Sequence, residues 1–300
     1  TIPKYLRHLK KENKNKKILD YSKTILKLLS SPNIASKHWV FQQYDHEVGI
    51  RTVVKPGFDA SVLRLDNGKF LSAKIDGNPK HCYLNPRQGA IGCFEEACRN
   101  IVCTGANPIG MVDHLQFGNP EDPEIFWTFM ESLEGLTEYA KFLRVPCVGG
   151  KVSFYNETNS GPIKPTPLIG VIGIRDKTPF LSSTPNNDDY LLIIGNTKNE
   201  LGGSEYFEYI HKFIGGLCPA VDFKDSKINM LTVLLLIKNK LVKSVHDCSK
   251  GGLSIALSEL SIFGNIGCTI DIEKTPCKEN LSSEEILFSE SHSRYLLVID

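Results

Sequence analysis

The sequence lacks a charge imbalance and lacks any long apolar run, and each deficit excludes a class of protein. Its 35 Lys and Arg residues are balanced by 34 Asp and Glu residues, which leaves a formal net charge of +1. This balance gives no electrostatic reason to expect a nucleic-acid or membrane partner. The longest mainly apolar stretch, residues 230–237, is far shorter than the roughly 20 residues of a membrane-spanning helix. We therefore expect neither a nucleic-acid-binding protein nor a membrane protein.

The nine cysteines include no C-x-x-C pair, the spacing that many zinc sites share. Cys93, Cys98 and Cys103 recur every five residues on a predicted helix, and this spacing does not bring all three to one face. A structural zinc site is therefore not expected. An odd number of cysteines without such pairs fits a reduced, cytoplasmic compartment. The basic first residues, 1–17, contain no apolar segment, so we also expect no signal peptide.

A length of 300 residues is enough for two domains. The hydrophobic fraction of 41% and the charged fraction of 23% are those of an ordinary globular protein. Residues 176–189 have the composition of a linker, with Pro, Asn and Asp. We therefore expect a basic N-terminal extension at 1–24, one domain at 25–178 and a second at 187–300. The extension is typical of a solvated or frayed helix, and nucleic-acid binding is the less favoured interpretation.

The most informative part of the sequence is a predicted β-α-β unit. An apolar run at 109–117 predicts a strand, and a strong turn signal follows it. Residues 122–143 carry apolar side chains every three or four positions, as one face of an amphipathic helix does. A second short strand is predicted at 145–148. Because such crossovers make the two strands parallel, the loops after them are expected on one rim of the sheet, where α/β proteins bind ligands.

The residues on that rim are suited to binding phosphate. Asp113 is a carboxylate on a rigid strand, and Gly149-Gly150 let backbone N–H groups approach an anion with no Cβ in the way. Lys151 and Ser153 add a positive charge and a hydroxyl. A strand aspartate often bonds to local backbone or faces water instead, and a glycine pair after a strand is a weak signal alone. The residues therefore leave the phosphate site and the structural interpretation open.

Two further polar stretches are candidates for phosphate binding, and a third predicts a hairpin turn. Residues 74–90 are dense in Asp, Asn, Lys, Arg and His, and we favour a phosphate-binding loop over a solvated one, leading into a helix at 90–102. Asp66-Asn67-Gly68 joins two alternating strands and has the signature of a type I′ hairpin turn. Gly202-Gly203-Ser204 suits a phosphate cradle and a plain tight turn equally well.

Two acidic positions are candidates for catalysis or metal binding. Asp45-His46 is an acid–imidazole pair, for which a surface or capping role is favoured over catalysis. Asp247 ends a short predicted strand. Mg²⁺ usually takes one or two carboxylates plus phosphate oxygens, so Asp247 is a candidate ligand. Capping the helix predicted at 253–263 is the alternative, and both remain open.

A series of longer motifs resembles one enzyme family closely. The resemblance covers about residues 25–300 and is to the phosphoribosylformylglycinamidine synthases, within the aminoimidazole ribonucleotide synthetase superfamily. The motifs, in the order of that family, are QYDHEV, PGFDASVL, IDGNPKHCYLNP, VDHLQFGNPEDPEIFW, VGGKVSFYNET, LGGSEY, HDCSKGGL and LFSESHSR. Several of them are long enough to be specific.

The resemblance implies a fold and a place within a longer protein. It implies an α/β (α+β) fold, with an N-terminal ferredoxin-like, barrel-forming domain followed by an α/β sandwich domain. The chain resembles the second half of the large synthetase subunit, which is an internal duplication. The expected C-terminal domain is incomplete at its end, and the half that carries the family's catalytic His is not in this chain. We therefore expect no catalytic residue here and no turnover by this chain alone.

The resemblance also implies the chemistry and the partners. In the family, ATP phosphorylates the amide oxygen of formylglycinamide ribonucleotide, and ammonia from a glutaminase subunit displaces the phosphate to form the amidine. ATP and Mg²⁺ are the implied cofactors. The implied partners are this substrate, the glutaminase subunit, and either the first half of the synthetase or a second copy of this chain.

Individual site residues carry over from the family by position. Asp113 matches a nucleotide-contacting Asp, Gly150 a nucleotide-contacting backbone, and Ser153 a substrate-contacting Ser. Lys151 stands where the family usually has a magnesium-binding Asn. Because an ammonium cannot ligate a cation, either Lys151 replaces the ion's charge against phosphate or the pocket has lost its metal. Asp247 matches a metal motif of the first half through the duplication.

Two other functions remain open beside the ligase. Lys151 motivates a non-catalytic half that only holds a structural nucleotide. A sister enzyme of the same superfamily, using ATP on another substrate, is the third interpretation. The long NPEDPEIFW and SFYNET motifs speak against this last one.

Overall fold

The computed structural model describes residues 1–9, 20–176, 180 and 185–300. Its α-helices are α1 (Leu6–Leu9), α2 (Tyr21–Leu29), α3 (His38–Phe41), α4 (Pro79–Leu84), α5 (Pro86–Cys103), α6 (Pro123–Leu143), α7 (Phe223–Lys238), α8 (Gly252–Gly264) and α9 (Ser283–Phe288). Its strands are β1 (Thr52–Val54), β2 (Ser61–Arg64), β3 (Phe70–Asp76), β4 (Asn107–Gln116), β5 (Cys147–Ser153), β6 (Glu157–Thr158), β7 (Gly161–Pro162), β8 (Thr166–Arg175), β9 (Tyr190–Ile194), β10 (Ser244–Asp247) and β11 (Tyr295–Ile299). Short 3₁₀ turns lie at Val48–Ile50 and Ile272–Lys274, and a π-helical turn lies at Tyr206–Ile210.

The larger sheet is six-stranded and mixed. Its strand order is β1-β2-β3-β8-β4-β5. Strands β4 and β5 are parallel, whereas the other neighbouring pairs are antiparallel. Helix α5 lies against β3, β4 and β8, and α6 packs along α5. The predicted β-α-β unit is confirmed, because β4, α6 and β5 follow one another and the two strands run in the same direction.

Strand β5 starts later and is longer than the sequence predicts. The prediction ends the strand at 148, before Gly149-Gly150, but β5 runs to Ser153. Its ladder with β4 continues through both glycines and ends at the pair Gln116 and Ser153. Glycine keeps both backbone hydrogen-bonding groups, so it does not end a strand that its neighbour holds in register. The glycine pair therefore lies inside an edge strand and not in a loop after it.

The second sheet is antiparallel, with strand order β10-β11-β9. Helix α5 lies between the two sheets, because it also contacts β10 and α7. Every residue of α5 except Arg87 and Gln88 is buried. One continuous hydrophobic core contains Met111 of the first sheet together with Val245 and Leu297 of the second. The two sheets are thus parts of one packed body.

The described strands form an open sheet and no closed barrel. The mixed α/β class is therefore confirmed, and β1 and β5 remain edge strands. On the face away from α5, apolar side chains are exposed at Ile75 (71%), Val112 (46%), Val148 (67%) and Ile172 (38%). They adjoin in pairs, since a Cβ on Gly110 would lie 3.7 Å from Val148 and 3.8 Å from Ile172, and a Cβ on Gly170 would lie 2.9 Å from Val112 and 3.7 Å from Ile75. We call these four side chains the outer face.

The predicted hairpin between β2 and β3 is confirmed, but its turn type is not I′. The Leu65 carbonyl accepts a hydrogen bond from the Gly68 N–H (3.0 Å), and the Leu65 N–H donates to the Lys69 carbonyl (2.8 Å). Among the three loop residues only Gly68 has a positive φ, of 79°. A type I′ turn needs two consecutive positive values. The loop is therefore a type I turn followed by a left-handed glycine.

Residues 74–90 form the end of β3, helix α4 and the start of α5, and not the long loop that the sequence predicts. Asn78 and Asn85 cap α4 and α5 with their side chains, so the helix start where an anion is expected is satisfied within the chain. Helix α5 begins at Pro86, ahead of the predicted start at 90. The polar side chains of this stretch that are buried are Asp76, Asn78, Lys80 and His81.

Parts of two predicted segments lie outside the described residues. These are residues 10–19 of the basic extension, and residues 177–179 and 181–184 of the linker. Within the extension, α2 begins at Tyr21 and is capped by the Asp20 side chain. In the described part of the chain, no helix combines the length and apolar character that crossing a membrane requires.

Candidate functional site

Asp113 and Gly150 lie side by side on adjacent parallel strands. They are register partners of β4 and β5. A Cβ built on Gly150 would lie 2.5 Å from the Asp113 Oδ1, so this carboxylate rests directly against the backbone of the facing strand. The other oxygen, Oδ2, lies 3.4 Å from the Cys147 thiol, which is a weak donor. The structure thus brings together the two residues that the sequence predicts to share a rim, although both lie inside their strands.

Lys151 does not share this face of the sheet. Successive side chains of a strand point to opposite faces. Lys151 therefore lies on the same side as its register partner His114, away from Asp113. Its side chain is exposed on the edge strand. The sequence predicts a single phosphate site for Lys151 and Asp113, whereas the structure places them on opposite faces of one sheet edge.

Ser153 lies at the C-terminal end of β5, at the predicted rim. Its hydroxyl is within 3.2 Å of the Asn156 amide nitrogen. The same amide donates to the carbonyl oxygens of Phe117 (2.9 Å) and Ser153 (2.8 Å). Asn156 therefore ties the end of β5 to the residue that follows β4. The Ser153 hydroxyl is fixed at the rim by this turn.

A cavity of about 300 Å³ borders this rim through Phe117 and Gly118. Tyr5 and Tyr83 stack at its wall, with ring centroids 4.3 Å apart. The Tyr5 hydroxyl is buried and has no hydrogen-bond partner in the described part of the chain. Burial, aided by Tyr83 and Glu124, raises the pKa of Tyr5, so its hydroxyl stays a neutral donor. The cavity thus combines aromatic walls with one free hydrogen-bond donor.

Three carboxylates from distant parts of the chain converge beside α5. Asp76 ends β3, Glu96 lies on α5 and Asp247 ends β10, and each is less than a tenth exposed. We call these three side chains the carboxylate cluster. The guanidinium of Arg99 lies 3.1 Å from the Asp247 Oδ2, and the Asn100 amide donates to the same oxygen at 3.3 Å. Asp247 is therefore held by two donors from α5.

Two lysines complete the surroundings of the carboxylate cluster. The Lys250 Nζ lies 3.7 Å from an oxygen of Asp76 and 3.9 Å from an oxygen of Glu96. The Lys74 Nζ lies 3.9 Å from the other oxygen of Asp76. That oxygen, Oδ2, is buried and accepts no hydrogen bond from the described residues. Asp76 is therefore stabilised by nearby charge more than by direct hydrogen bonds.

Burial and neighbouring charge shift the pKa values of the three carboxyl groups in different directions. Burial, followed by the charge of Glu96, raises the pKa of Asp76 to about 6. Burial raises the pKa of Asp247 to about 7, against the opposing effect of Arg99. Burial alone would raise the pKa of Glu96, but Lys250 and Arg99 together lower it to about 2. Glu96 is thus the carboxylate that the cations hold most firmly as an anion.

The residues around Asp247 do not fit a divalent metal ion. Asp247, Asp59 and His246 offer ligand atoms within 4.8 Å of one another. Both ring nitrogens of His246 are engaged, at 2.8 Å from Asp59 and 3.1 Å from Glu259. Burial lowers the pKa of His246, but Asp59 and Glu259 raise it well above its ordinary value, which favours the protonated ring. A protonated imidazole cannot ligate a metal, and Arg99 already pairs with Asp247.

The other predicted candidates have local roles. Asp45 and His46 bond to neighbouring backbone groups, which agrees with the surface or capping interpretation. The N–H groups of Gly202 and Gly203 donate to backbone carbonyls at 215–217, which leaves these donors engaged within the chain. Of the two interpretations of this glycine pair, the structure supports the tight turn.

The carboxylate cluster is the feature that sequence reasoning misses. Its signal is weak, because Glu95 and Glu96 precede Arg99 and Asn100 by four positions, a spacing typical of any charged helix face. Only the fold shows that this face is buried and that it meets Asp247.

Comparison with known protein families gives two matches along the chain. The model for the N-terminal domain of AIR synthase related proteins matches residues 57–175. The model for their C-terminal domain matches residues 186–300. Together the two matches cover well over half of the chain.

Curated relatives carry the name phosphoribosylformylglycinamidine synthase subunit PurL. The protein of Methanobrevibacter smithii is 45% identical over 281 residues, which are 92% of this chain and 39% of the relative. The protein of Thermococcus sibiricus is 46% identical over 280 residues, which are 93% of this chain and 39% of the relative. The chain therefore spans about two-fifths of the length of these relatives.

Solved structures with a similar fold include PurL of T. maritima. Its complex with FGAR has a TM-score of 0.76 at 21% identity, over 99% of this chain and 48% of that one. Its complex with ATP has a TM-score of 0.72 at 20% identity, over 99% and 46%. At such identities the likeness is one of fold. With its two domain matches in sequence order, the chain belongs to the family of AIR synthase related proteins.

Proposed function

We propose that this chain is part of an ATP-dependent carbon–nitrogen ligase of purine biosynthesis. The reaction converts formylglycinamide ribonucleotide to its amidine with ammonia that a glutaminase subunit releases from glutamine. The identity of 45% to PurL of M. smithii over 92% of the chain carries the proposal. The PurL structures of T. maritima with FGAR and with ATP are in keeping with this substrate and cofactor. We infer that the chain is the second half of the synthetase, with domains at 25–178 and 187–300.

We assign the nucleotide to the paired strands β4 and β5. Phosphoryl transfer depends on holding ATP and the accepting oxygen in line, and a carboxylate fixed by strand pairing is suited to such positioning. Asp113 accepts hydrogen bonds from nucleotide donors, and Gly150 lets the ligand approach the backbone. Lys151, on the opposite face of the same edge strand, adds a positive charge near the phosphates without contacting them, and Ser153 at the rim contacts the substrate. Mg²⁺ accompanies ATP in this proposal and does not bind Asp247.

Replacing Asp113 tests this assignment. We expect Asp113→Ala in the full-length enzyme to lower turnover by about tenfold or more, because the nucleotide loses a fixed acceptor. Glu121→Gln, which changes an exposed carboxylate beyond the same strand, is the matched control and should leave turnover unaltered. Isothermal titration of this chain with ATP, with and without Mg²⁺, measures binding directly. Equal turnover in Asp113→Ala and wild type would refute the assignment.

A non-catalytic half that holds a structural nucleotide is the second candidate. Lys151 favours it, because an ammonium stands where the family usually has a metal ligand. Such a pocket should retain nucleotide through purification and keep it in EDTA. Nucleotide that exchanges freely and only with Mg²⁺ present would decide against this candidate. Mass spectrometry of the denatured, purified protein measures the retained nucleotide.

We also infer that the outer face is covered by another AIR synthase-like N-terminal domain, either the first half of the synthetase or a second copy of this chain. Exposed apolar side chains at Ile75, Val112, Val148 and Ile172 and the free strand edges support this inference. Such pairing would complete the barrel that the resemblance implies.

Light scattering of the isolated chain tests this inference and separates the two occupants. If a second copy covers the outer face, the wild-type chain should be dimeric and Val112→Lys should make it monomeric. Ile228→Lys, at an exposed position on α7 (59% exposed), is the matched control and should stay dimeric. A wild-type chain that is monomeric at high concentration would exclude the second copy and leave the first half as the occupant.

A further inference from the structure

We propose that Lys250 is a built-in cation that fills the carboxylate cluster, in the place where a divalent metal ion is otherwise expected. The proposal stands apart from the proposed function, because it concerns only charges within the chain. Arg99 acts in the same way on the third carboxylate of the cluster, Asp247.

Lys250 reaches the carboxylate cluster from the turn between β10 and α8. Its ammonium lies 3.7 Å from Asp76 and 3.9 Å from Glu96, so it bridges carboxylates of two different elements. These distances describe ion pairs without direct hydrogen bonds. The Asp76 oxygen that faces Lys250 is Oδ1, whereas the buried Oδ2, which no described residue hydrogen-bonds, lies 3.9 Å from Lys74, so the two lysines together offset the charge of this carboxylate. A metal ion would have the same neutralising effect on these oxygens.

Cations of the chain itself already lie against the cluster. They are Lys74, Arg99 and Lys250, of which Arg99 also pairs with Glu95. A divalent ion added beside these three cations would bring like charges together in a poorly solvated place, which is unfavourable. The side chains of Lys74 and Lys250 are 27% and 28% exposed, whereas the carboxylates are less than a tenth exposed. The lysines therefore lie on the solvent side, and an entering ion would have to displace Lys250.

Removing the ammonium should convert this cluster into a divalent-cation site. Lys250→Ser leaves Asp76 and Glu96 with no bridging charge and opens the space that the lysine stem fills. Carboxylate oxygens with room for water are the ligands that hard divalent cations prefer. The variant should therefore lose stability in EDTA and regain it when Mn²⁺ is added, since an ion that binds only the folded state stabilises it.

The experiment uses Mn²⁺ as the probe and the full chain as the protein. Thermal unfolding in EDTA and in Mn²⁺ is compared for wild type, Lys250→Ser and the matched control Lys224→Ser, which removes an exposed lysine on α7. Electron paramagnetic resonance of Mn²⁺ measures binding in parallel. We expect Mn²⁺ to raise the midpoint of Lys250→Ser by several degrees and to leave the other two proteins unchanged. Adding Glu96→Gln to Lys250→Ser should abolish the response.

Two results would overturn the proposal. One is Mn²⁺ binding to the wild-type chain that Glu96→Gln removes, which would show that the ammonium does not exclude the ion. This measurement needs no Lys250 variant, so it decides even if Lys250→Ser fails to fold. The other is a folded Lys250→Ser, judged by circular dichroism, whose midpoint is the same in EDTA and in Mn²⁺.

Discussion

A single methyl group at position 150 has no room beside Asp113. A Cβ at Gly150 would lie 2.5 Å from the Asp113 Oδ1, whereas the nearest atom to a Cβ at Gly149 is 3.9 Å away, on Val112. We expect Gly150→Ala to displace the carboxylate and weaken ATP binding about tenfold, or by about 1.4 kcal/mol. Gly149→Ala is the control and should bind ATP like the wild type. Isothermal titration measures both affinities, and equal losses in the two variants would contradict the assigned role of Asp113.

Arg99 should be far more important for stability than the more exposed Arg87. Arg99 is fully buried between Glu95 and Asp247, so replacing it leaves buried carboxylates unpaired. We expect Arg99→Met to lower the free energy of unfolding by about 3–5 kcal/mol. Arg87 pairs with glutamates of α6 at the surface, and Arg87→Met should cost only about 1 kcal/mol. Urea denaturation compares the two, and similar losses would mean that the buried pair is no stronger than the surface pairs.

At the residue scale, the sequence predicts neighbours that share a strand pair but not those that meet across the fold. The proximity of Asp113 and Gly150 is predicted, because a β-α-β unit places its two strands parallel and close together. The face of Lys151 is not predicted, because it depends on β5 continuing past the glycines. The contact of Lys250 with Asp76 joins positions far apart in sequence, and no local pattern encodes it.

At the scale of elements, the side chain of Asp122 caps the N-terminus of α6. The Asp122 carboxylate accepts hydrogen bonds from the N–H groups of Glu124 (2.7 Å) and Ile125 (3.4 Å). We expect Asp122→Ala to lower the free energy of unfolding by about 1 kcal/mol, the usual effect of losing an N-cap. Glu121→Ala changes the preceding exposed acid and should be neutral within error in the same urea titration. A neutral Asp122→Ala would show that packing on α5 alone fixes the helix start.

Asp76, at the end of β3, should make the free energy of unfolding depend on pH. Asp76 faces Lys74, Lys250, Glu96 and Arg99, and burial raises its pKa to about 6 from an ordinary value of 3.8. Between these values the folded protein keeps a proton that the unfolded chain has lost, so the free energy of unfolding falls as pH rises. Asp76→Asn should remove this contribution and flatten the decline, as measured by urea unfolding across the window. An equal decline in the variant would place the titrating group elsewhere.

Sequence periodicity predicts the long elements better than their ends. The apolar spacing of α6 is regular over its whole length, so this helix follows from the residues alone. The turn after β2 is not predicted in detail, because Asp-Asn-Gly is compatible with both a type I′ turn and a type I turn with a left-handed glycine. The barrel that the resemblance implies is not seen, because the described strands form an open sheet.

The molecule as a whole should unfold in one step, although its family models divide it into two domains. Helix α5 is buried between the two sheets, and their apolar side chains share one core. Both tryptophans, Trp39 and Trp127, lie in the first part of the chain, so their fluorescence reports on that part. We expect its midpoint in urea to coincide with that of hydrogen exchange at β11. Separate midpoints would show that α5 does not couple the sheets.

The burial of α5 also has a consequence during synthesis. Arg99 and its partner Asp247 are 148 positions apart. At ribosomal speeds of about 5–20 residues per second, that distance corresponds to a delay of roughly 7–30 s. Throughout this interval the helix has emerged with acidic and basic side chains whose later partners are not yet made. We therefore expect the packing of α5 to be completed only after β10 has been synthesised.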